Sequence, residues 1–298
     1  LKGASAIGLV RSEYLIPENG ELPDANFYEN VFSTLCDIAR PLPVTIRLLD
    51  IAEDKPVPWV KPVTGLMGTL GLQGARLYDR EPIKSVFHAM LDAIANLVNR
   101  NEPSLIIPYI VSIEEFRHWR REIEQRLPVS LPVGVIAETP AALLAMQDWF
   151  EVADFVSVGC NDLMQCLFAA DRDLPELSAH LDPYAPVLFR FLRQAAEAAG
   201  DNVGKVQLCG LLPQIPGVLP VLLGMGYSAF SVEPMMIPYL ANIVSATTLA
   251  QAKTLTHEVC AAKDSSEVCE RLGLPTAGMV SVSHRWRGTD ESMGNRLL

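Results

Sequence analysis

No apolar run in this 298-residue chain reaches the roughly 18 residues of a membrane-spanning helix, because Arg, Asp or Glu interrupts most hydrophobic stretches. Residues 1–30 carry no basic-then-apolar leader, and the chain opens on Leu1 rather than Met, so further sequence is expected upstream. Positive charge is scarce. Lys and Arg number 24 against 35 Asp and Glu, a net charge of −11 that argues against a general nucleic-acid or membrane-surface partner. The six cysteines form no CxxC pair, which removes zinc fingers and disulfide scaffolds and makes a reduced, cytoplasmic setting the expectation. Neither GxGxxG nor GxxxxGK[ST] occurs, so the dinucleotide and P-loop readings lack their phosphate turns. There is no low-complexity segment, strict repeat or clear linker.

What remains is a composition able to build a large core, 49% apolar and 20% charged. Short apolar runs read as strands at 6–10, 44–50, 104–110, 132–137, 155–160, 205–210 and 229–232. Most are near-continuous rather than alternating, as in parallel strands covered on both faces. Helical periodicity fills 25–40, 83–99, 114–126, 140–150, 184–199 and 214–225. In 114–127 it puts Phe116, Trp119, Ile123 and Leu127 on one face. Strands alternating with helices imply a parallel α/β fold, and the length suits a single (β/α)8 TIM-type barrel. The Pro-rich stretch 56–62 reads as a long loop.

Active sites of such barrels lie at the C-terminal ends of the strands. Polar residues crowd there: Arg11 and Glu13 after the first strand, Arg47 and Asp50 after the second, and Glu138 after the fourth. Asn161 and Asp162 follow the fifth strand, and Cys209 ends the sixth. Two carboxylates on neighbouring strand ends can hold a hard divalent ion, and arginines around them suit an anionic, phosphorylated substrate.

Several long segments, in order, resemble the C-terminal barrel of the phosphoenolpyruvate (PEP)-utilising enzymes, nearest to enzyme I of the sugar phosphotransferase system. They are GASAIGLVRSEYL (3–15), IRLLDIAEDKPVP (46–58), IIPYIVSIEEFR (106–117), VGVIAETPAAL (133–143), DFVSVGCNDLMQCLFAADR (154–172) and LLGMGYSAFSV (222–232). The resemblance implies a PEP/pyruvate-type barrel over 1–275 with a C-terminal extension at 276–298. It implies Mg²⁺ or Mn²⁺ on Glu138 and Asp162, and phosphoryl binding by Arg11 and Arg47 with Lys55 nearby. Asn161 and Arg172 would hold substrate oxygens, and Cys209 would be the acid that protonates the methylene carbon of enolpyruvate. It further implies a homodimer and a phosphohistidine domain upstream or in trans, because His88, His118, His180, His257 and His284 all read as surface or packing residues.

Three positions depart from the family pattern. Gln73 stands where the LGxR motif has its arginine, with Arg76 one turn on. Leu211 replaces the carboxylate after the cysteine, and Cys160 replaces a hydroxyl. Losing one Arg contact to a dianion costs about 1.5–3 kcal/mol. Two other readings stay open: a diverged PEP- or pyruvate-binding or dimerisation module without efficient catalysis, and a metal-dependent pyruvate-enolate lyase. An eighth strand is also wanting. The family places a strand and helix just before the segment matching residue 3, which is the preferred source, and the alternative is MVSVSHRW (279–286).

Overall fold

A computed structural model describes residues 3–52, 54–60, 70–98 and 102–275. Seven strands, β1 (Ile7–Arg11), β2 (Val44–Arg47), β3 (Ser104–Ile107), β4 (Val133–Ala137), β5 (Val156–Gly159), β6 (Val206–Cys209) and β7 (Ala229–Ser231), form one sheet in sequence order. Every pairing is parallel. The helices between them are α1 (Ala25–Ala39), α2 (Ile83–Leu97), α3 (Ile113–Arg126), α4 (Pro140–Leu144), α5 (Met146–Trp149), α6 (Cys160–Phe168), α7 (Pro186–Ala199) and α8 (Val218–Gly224). Three more, α9 (Ile237–Ala246), α10 (Leu249–Ala261) and α11 (Ser265–Arg271), follow β7. This is the TIM-type barrel expected, with seven strands among the described residues.

Among the described residues β1 and β7 share no ladder, yet the two ends of the sheet nearly meet. A side chain at Gly8 on β1 would place its Cβ 2.6 Å from Gln207 Nε2 on β6 and 3.0 Å from Ser231 Oγ on β7. The barrel is therefore almost closed. The strand considered at 279–286 lies outside the described residues, as does the whole 276–298 extension.

The core sits between sheet and helices. Leu105 and Ile107, Val133 and Val135, Val156 and Val158, and Val206 and Leu208 point outward from alternate positions into one buried cluster with the helices. Phe116, Trp119, Ile123 and Leu127 join it as their spacing predicts. Helix starts follow cap chemistry: Asp24, Ser112 and Thr139 each accept the amide hydrogen of the residue three on, which satisfies an otherwise orphaned donor. Among the described residues no helix is long and apolar enough to cross a membrane.

The expected elements need four corrections. Segment 140–150 is two short helices, because Trp149 Nε1 donates to Ala142 O at 2.7 Å and occupies the carbonyl that a continuous helix would use. The expected strands 44–50 and 104–110 end at Arg47 and Ile107. The Leu48 amide still donates to Ile106 O at 3.0 Å, and beyond it the chains diverge, with Asp50 turned onto Lys55 and Tyr109 at φ +55°. Helix 214–225 starts at Val218, after a 3-10 turn at Leu212–Gln214. Helix α6 was not expected as a helix. It begins at Cys160 directly from β5 with no side-chain cap, so no start signal marks it in the sequence.

Candidate functional site

The strand ends converge at one mouth of the barrel. Arg47, the last residue of β2, is 4% exposed; it donates to Glu13 and pairs with Asp50 Oδ2 at 2.9 Å. Lys55 Nζ, on the loop after β2, reaches the same Asp50 oxygen at 2.5 Å. Two cations thus meet two carboxylates in a buried, formally neutral network. Burial alone would push the Asp50 carboxyl up, but Arg47 and Lys55 outweigh it and hold it well below the usual range. Asp50 in turn keeps Lys55 protonated against the opposing effect of burial. Arg47 and Lys55 are therefore paired with carboxylates, an arrangement the strand-end reading did not foresee.

Glu138 follows β4 and is 3% exposed, with Oε1 accepting from the Tyr109 amide at 2.7 Å. It lies so close to β5 that a Cβ on Gly159 would stand 2.6 Å from its Oε2, so only glycine admits the carboxylate there. Burial first, then the charges of Asp162 and Asp50, push its carboxyl far above the ordinary value. Lys55 and Arg47 pull the other way without offsetting these effects. Asp162 sits on the first turn of α6, where the helix dipole favours an anion. Among the described residues no group of three or more metal-ligating side chains assembles, so a cation here would have two protein carboxylates and would need further oxygens.

Arg172 lies across from them. It donates to Asp54 Oδ2 at 2.7 Å and stands 3.8 Å from Asp162 Oδ1; the two carboxylates hold it charged although burial opposes this. Asn161 Oδ1 accepts from the Leu211 amide at 3.0 Å and so ties α6 to the turn after β6. Cys209, at the end of β6, directs its thiol to Val158 O at 3.3 Å, and burial pushes the thiol up to about 11. Arg11 is partly exposed, with its guanidinium over the Tyr14 ring at 5.5 Å. All eight residues singled out in the sequence thus lie in this one region.

The departures have physical consequences. Gln73 is buried and hydrogen-bonds the Tyr109 side chain, so a neutral pair fills this position. Arg76 donates to Gly71 O at 3.2 Å and stacks over the Tyr109 ring at 5.0 Å. It thereby places a cation near the carboxylates, since Cys166 on α6 feels Arg76 as well as Asp162 and Glu138.

Sequence reasoning missed Gln165, Asp54 and Tyr109. Gln165 is 6% exposed, and its Nε2 donates to Asp162 Oδ1 at 2.8 Å while its Oε1 accepts from the Arg172 amide at 2.8 Å. One side chain therefore orients both a carboxylate and the loop that carries Arg172. No signal in the sequence marks Gln165, because α6 itself carries no start signal. Gln165→Leu is expected to raise the hydrogen-exchange rate of the Arg172 amide about tenfold, the loss of roughly one hydrogen bond. Mass spectrometry of the peptide spanning residues 170–174 would check it, and unchanged exchange would show the brace to be incidental.

The sequence pattern described as the PEP-binding domain of PEP-utilising enzymes matches residues 1–249. The phosphoenolpyruvate-protein phosphotransferase of Buchnera aphidicola subsp. Schizaphis graminum is 28% identical over 282 residues, covering 91% of this chain and 49% of its own. The enzyme of the same name from Buchnera aphidicola subsp. Baizongia pistaciae is 30% identical over 269 residues, covering 86% of this chain and 46% of its own. Multiphosphoryl transfer protein 2 of Escherichia coli is 26% identical over 309 residues, covering 97% of this chain and 37% of its own. The chain spans half or less of the length of these relatives.

Proposed function

The chain belongs to the PEP-utilising enzymes through their PEP-binding domain, and we propose that it binds PEP with Mg²⁺ or Mn²⁺ and serves phosphoryl transfer to a histidine on a separate domain, releasing pyruvate. The observation that carries this reading is the pair of carboxylates at the mouth: buried Glu138, its carboxyl pushed up by burial and by Asp162, which itself stands 3.8 Å from Arg172.

The residues fit a hard divalent cation: Glu138 and Asp162 offer oxygen donors and surplus negative charge, and substrate oxygens would complete its shell. When bound, the cation supplies charge stabilisation for the phosphoryl and enolate oxygens. The protein's own groups do the rest. Arg11 and Arg47 bind the phosphoryl oxygens with Lys55 nearby, Arg172 holds further substrate oxygens, and Arg76 adds positive charge to the rim where Gln73 is neutral. Asn161 orients the substrate and holds the turn after Cys209. As the P–O bond to the enol oxygen breaks and a P–N bond forms on the acceptor histidine, negative charge develops on enolpyruvate. Cys209 then gives its S–H proton to the methylene carbon, the C–H bond forms from the enolate pair, and pyruvate results. A thiol pushed up to about 11 is protonated at neutral pH, as an acid must be.

On this reading residues 1–275 are the barrel and 276–298 an extension, the acceptor domain lies upstream or in trans, and the working form is a cytoplasmic homodimer. The neutral Gln73–Tyr109 pair favours a second reading, a diverged PEP- or pyruvate-binding module with little turnover.

Calorimetric titration with PEP is expected to show binding with Mg²⁺ and at least tenfold weaker binding in EDTA; equal affinity in both would sink the metal-dependent reading. Cys209→Ser should still bind PEP but lose, by a hundredfold or more, the exchange of pyruvate methyl protons with deuterated water, within the usual span of general acid–base effects. Wild-type binding without any exchange would select the non-catalytic module.

A further inference from the structure

We propose that Asp54 is a positioning residue for Arg172: its carboxylate keeps the Arg172 guanidinium at the mouth once Asp162 is given over to a divalent cation. The inference deepens the proposed reaction and rests on two of its readings, Asp162 as a cation carboxylate and Arg172 as a group that holds substrate oxygens.

The geometry starts from a tight turn after β2. The Lys55 amide donates to Ala52 O at 3.1 Å, and the two residues form a short antiparallel bridge. Neighbouring side chains of this turn go to different partners. Lys55 is 6% exposed, and its Nζ reaches Asp50 Oδ2 at 2.5 Å, which ties the turn to the end of β2. Asp54 instead accepts from Arg172 Nη2 at 2.7 Å, across 118 residues of chain. An acid on a turn anchored in this way is a fixed point for its partner.

Arg172 has use for such a point. It lies beyond α6, and an arginine side chain has much rotamer freedom to lose when it binds. Its backbone is braced, because the Arg172 amide donates to Gln165 Oε1 at 2.8 Å. Its guanidinium has two carboxylates nearby, and they are not equivalent. Asp162 Oδ1 is 3.8 Å from Nη1, too far for a hydrogen bond, and it already accepts from Gln165 Nε2 at 2.8 Å. A cation on Glu138 and Asp162 would take up that carboxylate's charge and repel the guanidinium beside it. Asp54 makes the direct bond and stands outside the proposed cation pair, so it can hold Arg172 with or without the ion. One bond from Nη2 leaves the donors of Nε and Nη1 for substrate oxygens.

Asp54 thus acts on an anionic substrate in two opposed ways. Its charge repels the substrate, while its hold on Arg172 lowers the ordering cost of binding. Substitutions separate the two.

The test is calorimetric titration of the full chain with PEP in the presence of Mg²⁺. Asp54→Ala is expected to bind PEP about tenfold more weakly, the effect of one charged hydrogen bond, although it removes a negative charge. Asp54→Asn keeps an acceptor oxygen without the charge and should stay within about twofold of wild type. In an Arg172→Ala background, adding Asp54→Ala should change affinity less than about twofold, because the hold has lost its object. Tighter binding by both Asp54 variants, or an undiminished loss in the Arg172→Ala background, overturns the proposal. A second measurement needs no PEP. Labelling of Arg172 by phenylglyoxal, located by mass spectrometry, should be several times faster in Asp54→Ala than in wild type when Mg²⁺ is present. Equal labelling overturns the proposal whatever the affinities do. Faster labelling alongside a wild type that binds no PEP overturns the proposed function instead and leaves the hold of Asp54 on Arg172 standing.

Discussion

Arg47→Met is expected to destabilise the barrel by about 3–5 kcal/mol, because it strips a buried cation from two carboxylates and leaves Glu13 without a charged partner. Against a total stability of about 5–15 kcal/mol this is a large fraction, and at about 2–4 °C per kcal/mol the melting temperature should fall by roughly 6–20 °C. Calorimetric melting would measure it. The deficit has a predictable pH dependence. Asp50 is held below its unfolded value in the wild type, so its contribution is fully present above about pH 4 and is lost as the pH falls towards its lowered folded value. Arg47→Met has already lost much of that contribution, so the two melting curves should converge on acidification. The double variant Glu13→Leu with Arg47→Met should recover part of the loss, since Arg47 Nε and Glu13 Oε2 have no hydrogen-bond partner even in the native network. A deficit that stays constant from pH 8 to pH 3 would show that the network contributes nothing by charge.

That network marks the limit of what the sequence could say about the site. The near-continuous apolar runs of β4 and β5 announce parallel strands buried on both sides, and both are fully buried. Helix α3 is equally legible, because Phe116, Trp119 and Ile123 repeat at helical spacing behind a Ser112 cap. Start signals fail at α6, where strand passes into helix without a loop, and at Ala145, where an indole takes a helical carbonyl. For the site, strand-end position brings Arg11, Arg47, Glu138, Asp162 and Cys209 into one region, because the barrel topology alone brings strand ends together. It does not reveal which charges cancel. Whether Arg47 faces a ligand or two carboxylates depends on how Glu13 and Asp50 turn after leaving their strands, and no local pattern encodes that turn. Gln165 was missed for a related reason. It acts through its neighbours, and amides are too common in sequence for a bonding role to stand out.

The charge arrangement also gives the departures at Gln73 and Leu211 a physical setting. Arg47 and Lys55 are paired with Glu13 and Asp50, and Arg172 is shared between Asp54 and Asp162. Arg76, held over Tyr109, adds a further cation at the rim. Leu211 contributes its amide to Asn161 and brings no charge. The carboxylates of this mouth are matched unevenly, and Glu138 is the one that burial and the charges of Asp162 and Asp50 push up.

Glu138→Gln is therefore expected to make the ligand-free protein more stable while abolishing its response to Mg²⁺. The sign follows from the direction of the shift. A carboxyl raised on folding costs nothing below its unfolded value, because it is protonated in both states. Its penalty grows as the pH rises towards its folded value and is complete above it. The stabilisation by Glu138→Gln should accordingly be near zero at pH 4 and largest at pH 8, where a gain of about 1 kcal/mol would appear as roughly 2–4 °C in melting temperature. The amide oxygen of glutamine can still accept from the Tyr109 amide, so the backbone contact survives. Added Mg²⁺ should raise the melting temperature of the wild type, because an ion that binds only the folded state stabilises it, and should leave Glu138→Gln unmoved. Opposite shifts from one substitution, up without the ion and lost response with it, are what a carboxylate kept for a cation produces. If Glu138→Gln is instead less stable than wild type at pH 8, the carboxylate is compensated within the fold, and the case for a cation between Glu138 and Asp162 collapses.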